Sequence, residues 1–133
     1  MNLTFVDSGV LIAAFRASDR TGKLALEILD DPQRDFASSI FVKLETIPKP
    51  AFLKREEEHQ FYERFFRRVS KWATIDVDLT ASALDMGSTA GLSAMDALHL
   101  AAAHQMRCDE FVTTEKVTKP LHRTSLFRIK SIH

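Results

Sequence analysis

The opening stretch of the chain constrains the fold more than any other part of the sequence. Residues 3–6 form an apolar and β-branched run that ends at Asp7, and a second apolar run follows at 10–15. A short run of this kind predicts a strand buried on both faces, as in parallel sheets covered by helices. Asp7 and Ser8 then stand where the strand gives way to a helix that begins near Gly9. Either side chain is predicted to cap that helix, and Asp7 also stands where open α/β sheets bind ligands.

The composition is that of an ordinary globular protein and predicts one domain over residues 1–133. Hydrophobic residues make up 45% of the chain and charged residues 27%, which does not indicate disorder. The 18 acidic and 18 basic residues cancel, so bulk electrostatic attraction is not expected to hold a nucleic acid.

The sequence carries no signal for export or for membrane insertion. Residues 1–6 contain no Lys or Arg, and the longest apolar run, 10–15, is far shorter than the roughly 20 residues that a spanning helix needs. Cys108 is the single cysteine, so no internal disulfide can form. We therefore expect a cytoplasmic protein that does not associate with a membrane.

Helical and strand patterns alternate along the rest of the chain. After the first strand, helices are predicted at 10–15, 20–29, 40–47, 52–72 (one helix or a pair), 79–91 and 92–103, and strands at 35–38, 73–77, 110–114 and 126–130. This order predicts an α/β fold: a three-layer α/β/α arrangement with a mostly parallel sheet of about five strands.

Two apolar stripes are assigned to faces of these helices. Ile40, Leu44 and Ile47 are expected to face the sheet, because they recur at helical spacing. A broader aromatic stripe runs from Phe61 to Trp72, and it is interpreted either as core or as a surface for a second copy or a partner peptide.

Four carboxylates, Asp7, Glu45, Asp96 and Glu115, are the candidate site residues. Each has an ordinary explanation: Asp96 completes a capping box with Ser93, Glu115 follows threonines that can cap a helix, and Glu45 suits a solvent-facing position. Three of the four nevertheless fall at strand ends or helix starts on the ligand-binding side of the sheet, and the fourth belongs to the helix leaving the second strand. Carboxylates that converge repel one another unless a cation compensates them, and oxygen-only ligands favour Mg²⁺ or Mn²⁺.

The chain resembles the PIN domain family and, within it, the VapC-type toxin endoribonucleases. The resemblance lies in four ordered segments that span nearly the whole chain: 5–12 around Asp7, S-x-x-V-x-x-E at 39–45, G-L-S-x-x-D-A-L-H-L-A at 91–101, and F-V-T-T-E-K at 111–116.

The resemblance implies that Asp7, Glu45, Asp96 and Glu115 form an acidic site that binds Mg²⁺ or Mn²⁺. It also implies hydrolysis of RNA phosphodiester bonds, a homodimer, and inhibition by a cognate antitoxin protein. One departure is visible, because the family usually has aspartate after the paired threonines, whereas this chain has Glu115 followed by Lys116. Glutamate can still ligate a cation through its longer side chain.

Other residues near the motifs receive minor roles or none. In this scheme Glu45 orients a water molecule or completes the coordination of the cation. Ser8 and Thr114 are candidates for hydroxyl contacts to a carboxylate or a phosphate. His99 lies one turn after Asp96, and we assign it no role, because a lone histidine in an alanine-rich helix is more often simply packed.

Binding of RNA needs positive charge outside the acidic site. One basic cluster follows the last candidate acid and a second lies in the predicted long helix: Lys116, Lys119, Arg123, Arg128 and Lys130, and Arg64, Arg67, Arg68 and Lys71. Both clusters are interpreted either as phosphate contacts or as ordinary solvated charge.

Two other functions remain open from the sequence. The chain is alternatively a catalytically silent PIN-like module that binds RNA or a protein, with the acids serving the fold. A small metal-dependent phosphatase is a third possibility, although the sequence has no glycine-rich loop that would cradle a phosphate.

Overall fold

A computed structural model describes residues 2–124 and 127–133 of the chain. Its five strands are β1 (Asn2–Val6), β2 (Arg34–Ser38), β3 (Val69–Trp72), β4 (Glu110–Thr113) and β5 (Arg128–Ser131). They form one sheet in the order β3-β2-β1-β4-β5, and every neighbouring pair is parallel. The predicted α/β fold with a parallel sheet of about five strands is confirmed.

Helices occupy the crossovers between parallel strands. Between β1 and β2 lie α1 (Ser8–Arg16) and α2 (Arg20–Leu29); between β2 and β3 lie α3 (Ile40–Thr46), α4 (Pro48–Phe52) and α5 (Glu56–Arg68); and between β3 and β4 lie α6 (Val77–Ala90) and α7 (Ala94–Gln105). A 3-10 turn at Pro120–Arg123 precedes β5. Because all strands run the same way, their C-terminal ends share one edge of the sheet, which we call the carboxyl edge.

The central strand β1 and its neighbour β4 form the middle of the core. Phe5 and Val6 are fully buried, as predicted for the opening run, and the ring of Phe5 stacks on that of Phe111 with centroids 5.2 Å apart. Alanines of α7 pack closely, with residues 101–103 at most 1% exposed. Within the described ranges, no helix is long and apolar enough to cross a bilayer.

The third strand lies earlier in the chain than predicted. It spans Val69–Trp72, whereas residues 73–77 lead into α6. Asp76 explains why residues 73–77 do not form the predicted strand. Its side chain accepts a hydrogen bond from the backbone N–H of Leu79 at 2.8 Å and so caps the start of α6. β3 itself is an edge strand with no fully buried residue, so it carries little apolar signal.

Helix α3 is rotated relative to the prediction. Ile40 and Leu44 are 45% and 59% exposed, whereas Val42 and Thr46 are buried. Of the predicted stripe, Ile47 packs against the core and is partly buried. A seven-residue helix has too few turns for its apolar stripe to set its rotation, and its junctions with the neighbouring segments do so instead. Burial of Thr46 is tolerated because its hydroxyl donates to the Val42 carbonyl at 2.8 Å.

The aromatic stripe mostly belongs to the core. Tyr62, Phe65 and Phe66 of α5 are buried, and the ring of Phe61 packs edge-on against Phe15 at 5.6 Å. Trp72, by contrast, lies on β3 and is 40% exposed. The predicted fifth strand at 126–130 is observed as β5, although its first predicted residue, Leu126, lies outside the described residues.

An ion cluster stabilises the edge of the sheet opposite the carboxyl edge. Glu110, the first residue of β4, is 2% exposed and accepts from Arg34 at 2.6 Å and from Arg128 at 3.2 Å. The Arg34 side chain is itself only 12% exposed and also donates to the Thr4 hydroxyl at 2.8 Å. The buried carboxylate is therefore fully paired.

Removal of this carboxylate should be costly. We expect Glu110→Ala to lower the free energy of unfolding by about 3 kcal/mol, because it leaves the Arg34 charge buried without its main partner. Arg128→Ala should cost less than about 1 kcal/mol, because the Arg128 side chain is 76% exposed. Urea denaturation of both variants checks this, and equal losses would contradict it.

Candidate active site

The sheet topology carries the four candidate acids to the carboxyl edge. Asp7 follows β1, and Glu115 follows the neighbouring strand β4. Glu45 lies in α3, which leaves β2 on the other side of β1. Asp96 lies in the first turn of α7, which begins at this edge because it leads back to the start of β4.

Asp7 is both a helix cap and a buried carboxylate. Its Oδ1 accepts from the Val10 N–H at 3.2 Å, which caps α1, and its Oδ2 accepts from the Thr113 hydroxyl. Its own N–H donates to the Val112 carbonyl at 3.1 Å, which ties the residue to β4. The two interpretations offered by the sequence are therefore compatible, because capping leaves Asp7 at the carboxyl edge.

Burial makes ionised Asp7 unfavourable. Asp7 is 9% exposed, and loss of solvent raises the pKa of its carboxyl from 3.8 to about 6, with the negative charge of Asp96 acting in the same direction. Hydrogen bonds from Thr113 and Val10 and the nearby His99 oppose this rise without cancelling it. Asp96 thus lies near enough for its charge to act on Asp7, and the described side chains only partly compensate the cost of a negative charge at Asp7.

The pKa of Glu45 is shifted in the opposite direction to that of Asp7. Its Oε1 accepts from the Ser8 hydroxyl at 2.6 Å and lies 2.5 Å from Nε2 of His99. The hydrogen bond with His99 and, more weakly, that with Ser8 hold the pKa of Glu45 below its usual value against partial burial. Glu45 is therefore an ionised carboxylate, and its side chain is 33% exposed.

Sequence reasoning missed two residues of this site. His99 received no role, yet it contacts a candidate acid. Of the two candidate hydroxyls, Ser8 contacts the Glu45 carboxylate as predicted, whereas Thr113 rather than Thr114 binds Asp7. Thr114 packs so closely against Gly9 that a Cβ at residue 9 would clash with its hydroxyl. A signal for His99 was available, because it lies three residues after Asp96 and so on the same face of the helix.

The remaining two acids are held through their backbones. The N–H of Asp96 donates to the Ser93 hydroxyl at 3.4 Å, as the capping box predicts. The N–H of Glu115 donates to the Thr113 hydroxyl at 3.0 Å, but across residues 2–124 and 127–133 its carboxylate has no hydrogen bond or ion pair. Contacts and charge thus link Asp7, Glu45 and Asp96, whereas Glu115 is linked to Asp7 through its backbone N–H and the shared Thr113 hydroxyl.

The donor chemistry of the site fits a hard divalent cation. The acids offer only carboxylate oxygens, and the uncompensated pair Asp7 and Asp96 is the place where a cation would gain most. Among the described residues, no three Asp, Glu, His or Cys side chains are already arranged as ligands. Asp7 and Asp96 would therefore hold the ion, with other acids completing its coordination.

Several residues of the two basic clusters are engaged elsewhere. Arg128 pairs with Glu110 at the opposite edge, Arg123 donates to the Ala90 carbonyl at 3.0 Å, and Lys71 donates to the Met106 carbonyl at 3.0 Å. Lys116 and Lys119 are exposed and follow Glu115 directly. These two lysines are therefore the best placed to meet a phosphate near the acids.

Comparison with known proteins identifies the family. A sequence model of the PIN domain matches residues 4–119. The chain belongs to the PIN domain family. This confirms the resemblance drawn from the motifs, and PIN domains generally use divalent metal ions. No curated protein matches the sequence.

Solved structures share this PIN fold at low sequence identity. A VapBC2 structure from Rickettsia felis bound to a promoter DNA fragment is 15% identical with a TM-score of 0.73, covering 97% of this chain and 98% of that chain. A toxin-antitoxin complex from Klebsiella pneumoniae is 21% identical with a TM-score of 0.69, covering 98% of each chain. DNA-bound VapBC from Salmonella typhimurium is 14% identical with a TM-score of 0.70, covering 100% of each chain.

Neutralising Asp7 should stabilise the metal-free protein in a pH-dependent way. The folded state holds the Asp7 proton more tightly than the unfolded chain, so the cost of ionisation is absent below pH 3.8, grows towards pH 6 and is complete above it. Each tenfold difference in proton affinity is worth ~1.4 kcal/mol, so Asp7→Asn should gain up to about 3 kcal/mol at pH 7.5. Asparagine retains the helix cap.

Urea denaturation in the presence of a chelator measures this difference. The gain of Asp7→Asn over the wild type should shrink towards zero near pH 3.5, where both the folded and the unfolded states hold the proton. A gain that is the same at both pH values, or a loss at pH 7.5, would contradict the assignment of an unfavourable buried charge.

Proposed function

We propose that this PIN domain is a divalent-metal-dependent endoribonuclease that acts in the cytoplasm as a VapC-type toxin. The observation that carries the proposal is the meeting of Asp7, Asp96 and Glu45 at the carboxyl edge of the sheet. A buried carboxylate at Asp7, with the partly exposed Asp96 near enough to add to its negative charge, suits a site completed by Mg²⁺ or Mn²⁺. Acid clusters of this kind serve phosphodiester hydrolysis by positioning a cation against the substrate.

The side chains of the site would have different roles in binding the cation and orienting the water. Thr113 and the Val10 N–H fix the two oxygens of Asp7, so that Asp7 would present a preorganised carboxylate to the cation, with Asp96 completing the pair. A cation bound there would lower the pKa of a water molecule and neutralise phosphate charge. Glu45, held ionised, would help to complete the coordination of the cation, either directly or through the attacking water, which it would orient towards the phosphorus. Glu115 is proposed as a further ligand.

The acidic site itself repels RNA, so the substrate must be held by positive charge nearby. Lys116 and Lys119 are exposed, follow the last acid of the site, and have no acidic residue between them. We assign them to backbone phosphates on either side of the cleaved bond.

Two partners belong to the proposal. The similar structures are VapBC and toxin-antitoxin complexes, and this supports a cognate antitoxin protein as the regulator of this chain. A homodimer is proposed on the same family resemblance.

Cleavage assays test the activity directly. Purified protein with Mn²⁺ should cleave single-stranded RNA, and a chelator should abolish cleavage. Asp96→Asn should lower the cleavage rate at least about 100-fold. Loss of a residue that only hydrogen-bonds to a metal ligand typically lowers metal affinity or activity 10–100-fold, and Asp96 is proposed to bind the cation itself. Asp85→Asn is the matched control, since Asp85 is an exposed aspartate of α6, and it should leave the rate unchanged.

The other outcomes of this assay identify the alternatives. Binding of RNA without cleavage under any divalent cation would support the catalytically silent module. Release of phosphate from monoesters, without cleavage of RNA, would support the phosphatase. Either result would contradict the nuclease.

The salt dependence of RNA binding tests the two lysines. In the Asp96→Asn background, replacing Lys116 and Lys119 with Gln should reduce the slope of log affinity against log salt by about 1.4, since each contact to a single strand contributes about 0.7. Replacing Arg64 and Arg67, which are exposed residues of α5, should leave the slope unchanged. Filter binding at several salt concentrations measures both slopes, and an unchanged slope in the variant without Lys116 and Lys119 would remove these lysines from the site.

A further inference from the structure

His99 is a buried polar residue that the mechanism above does not use. It lies on α7, is 2% exposed, and packs against the ring of Phe5 with centroids 5.9 Å apart. Its Nε2 lies 2.5 Å from Oε1 of Glu45. In the part of the chain that the structure describes, its Nδ1 is buried and has no hydrogen-bond partner.

The direction of the hydrogen bond follows from chemistry. An ionised carboxylate can only accept, so Nε2 of His99 carries the proton and donates to Oε1 of Glu45. The hydroxyl of Ser8 donates to the same oxygen at 2.6 Å. Oε1 is therefore occupied by two donors, whereas Oε2 has no partner among residues 2–124 and 127–133.

A purely structural role explains this histidine poorly. A leucine at position 99 would fill a similar apolar space beside Phe5 without burying an unpartnered nitrogen, and an unpartnered buried nitrogen disfavours folding. Among the residues that the structure describes, the hydrogen-bond partner of His99 is a carboxylate of the candidate site.

The position of His99 also links two acids. α7 supplies Asp96 in its first turn and His99 one turn later, whereas Glu45 comes from α3. Without His99, Glu45 would be held by Ser8 alone at the end of a short helix. The contact therefore fixes Glu45 relative to the helix that carries Asp96.

We propose that His99 is a positioning residue that holds Glu45 by Oε1 and leaves Oε2 as the single oxygen through which Glu45 serves the metal site. This inference rests on the proposed metal-dependent function. It assigns to His99 no contact with the RNA or with the cation.

Calorimetric titration with Mn²⁺ tests the proposal without relying on activity. His99→Leu should weaken Mn²⁺ binding about 10-fold, the lower end of the 10–100-fold range for partners of metal ligands. His99→Gln should remain within about threefold of the wild type, because its amide NH₂ can replace the Nε2 donor. His104→Leu, at an exposed histidine on the same helix, is the control and should have no effect.

Thermal unfolding without metal separates positioning from folding. His99→Leu should melt no lower than the wild type even though it binds Mn²⁺ less well. Equal loss of Mn²⁺ affinity in the Leu and Gln variants, or no loss in either, would overturn the proposal.

A double-mutant cycle tests whether His99 acts through Glu45. In the Glu45→Gln background, His99→Leu should change Mn²⁺ affinity by less than about twofold, because the carboxylate that it positions is absent. The full effect persisting in that background would overturn the proposal.

Failure of this inference is distinguishable from failure of the proposed function. RNA cleavage by the wild type with unchanged Mn²⁺ affinity in His99→Leu would overturn the role of His99 and leave the nuclease standing. Weakened Mn²⁺ binding in His99→Leu that Gln restores, in a protein that cleaves no RNA, would support the role of His99 and reject the nuclease.

Discussion

The burial of one carboxylate at the end of the central strand is the constraint on which the rest of this structure depends. Asp7 ends β1, caps α1 and receives a hydrogen bond from Thr113, so its position is fixed from three sides. Fixing it there removes it from solvent and places it within the field of Asp96, which raises its pKa to about 6. The fold thus holds an unfavourable charge in place, and a bound cation would relieve it.

The two edges of the sheet treat buried charge in opposite ways. At the opposite edge, Glu110 is paired with Arg34 and Arg128, so its charge is compensated within the chain. At the carboxyl edge, no arginine or lysine pairs with Asp7 in the described residues. A buried carboxylate therefore stabilises the fold at one edge and is available to bind a cation at the other. This is expected because ligands bind at the carboxyl ends of the strands in parallel sheets.

Sequence reasoning recovered the features that local patterns specify. The run at 3–6 identified the buried strand, and the spacing of strands and helices was enough to bring Asp7, Glu45 and Asp96 to one edge. The third strand was wrong because β3 is an exposed edge strand without alternation, and the rotation of α3 was wrong because seven residues cannot fix a helical face. The contact between His99 and Glu45 joins residues 54 positions apart, so only the packing of α7 against α3 reveals it. The single domain over 1–133 and the catalytic roles of the four acids stay predictions.

The close approach of Gly9 to Thr114 has a consequence for how such chains vary. Any side chain at residue 9 would press on the Thr114 hydroxyl, in the residue that immediately precedes Glu115. The size of residue 9 and the side chain of residue 114 are thus coupled, although 105 positions separate them. Homologues in which one of these positions has changed should tend to show a compensating change at the other. Such covariation would indicate that this contact helps to place the acid at residue 115.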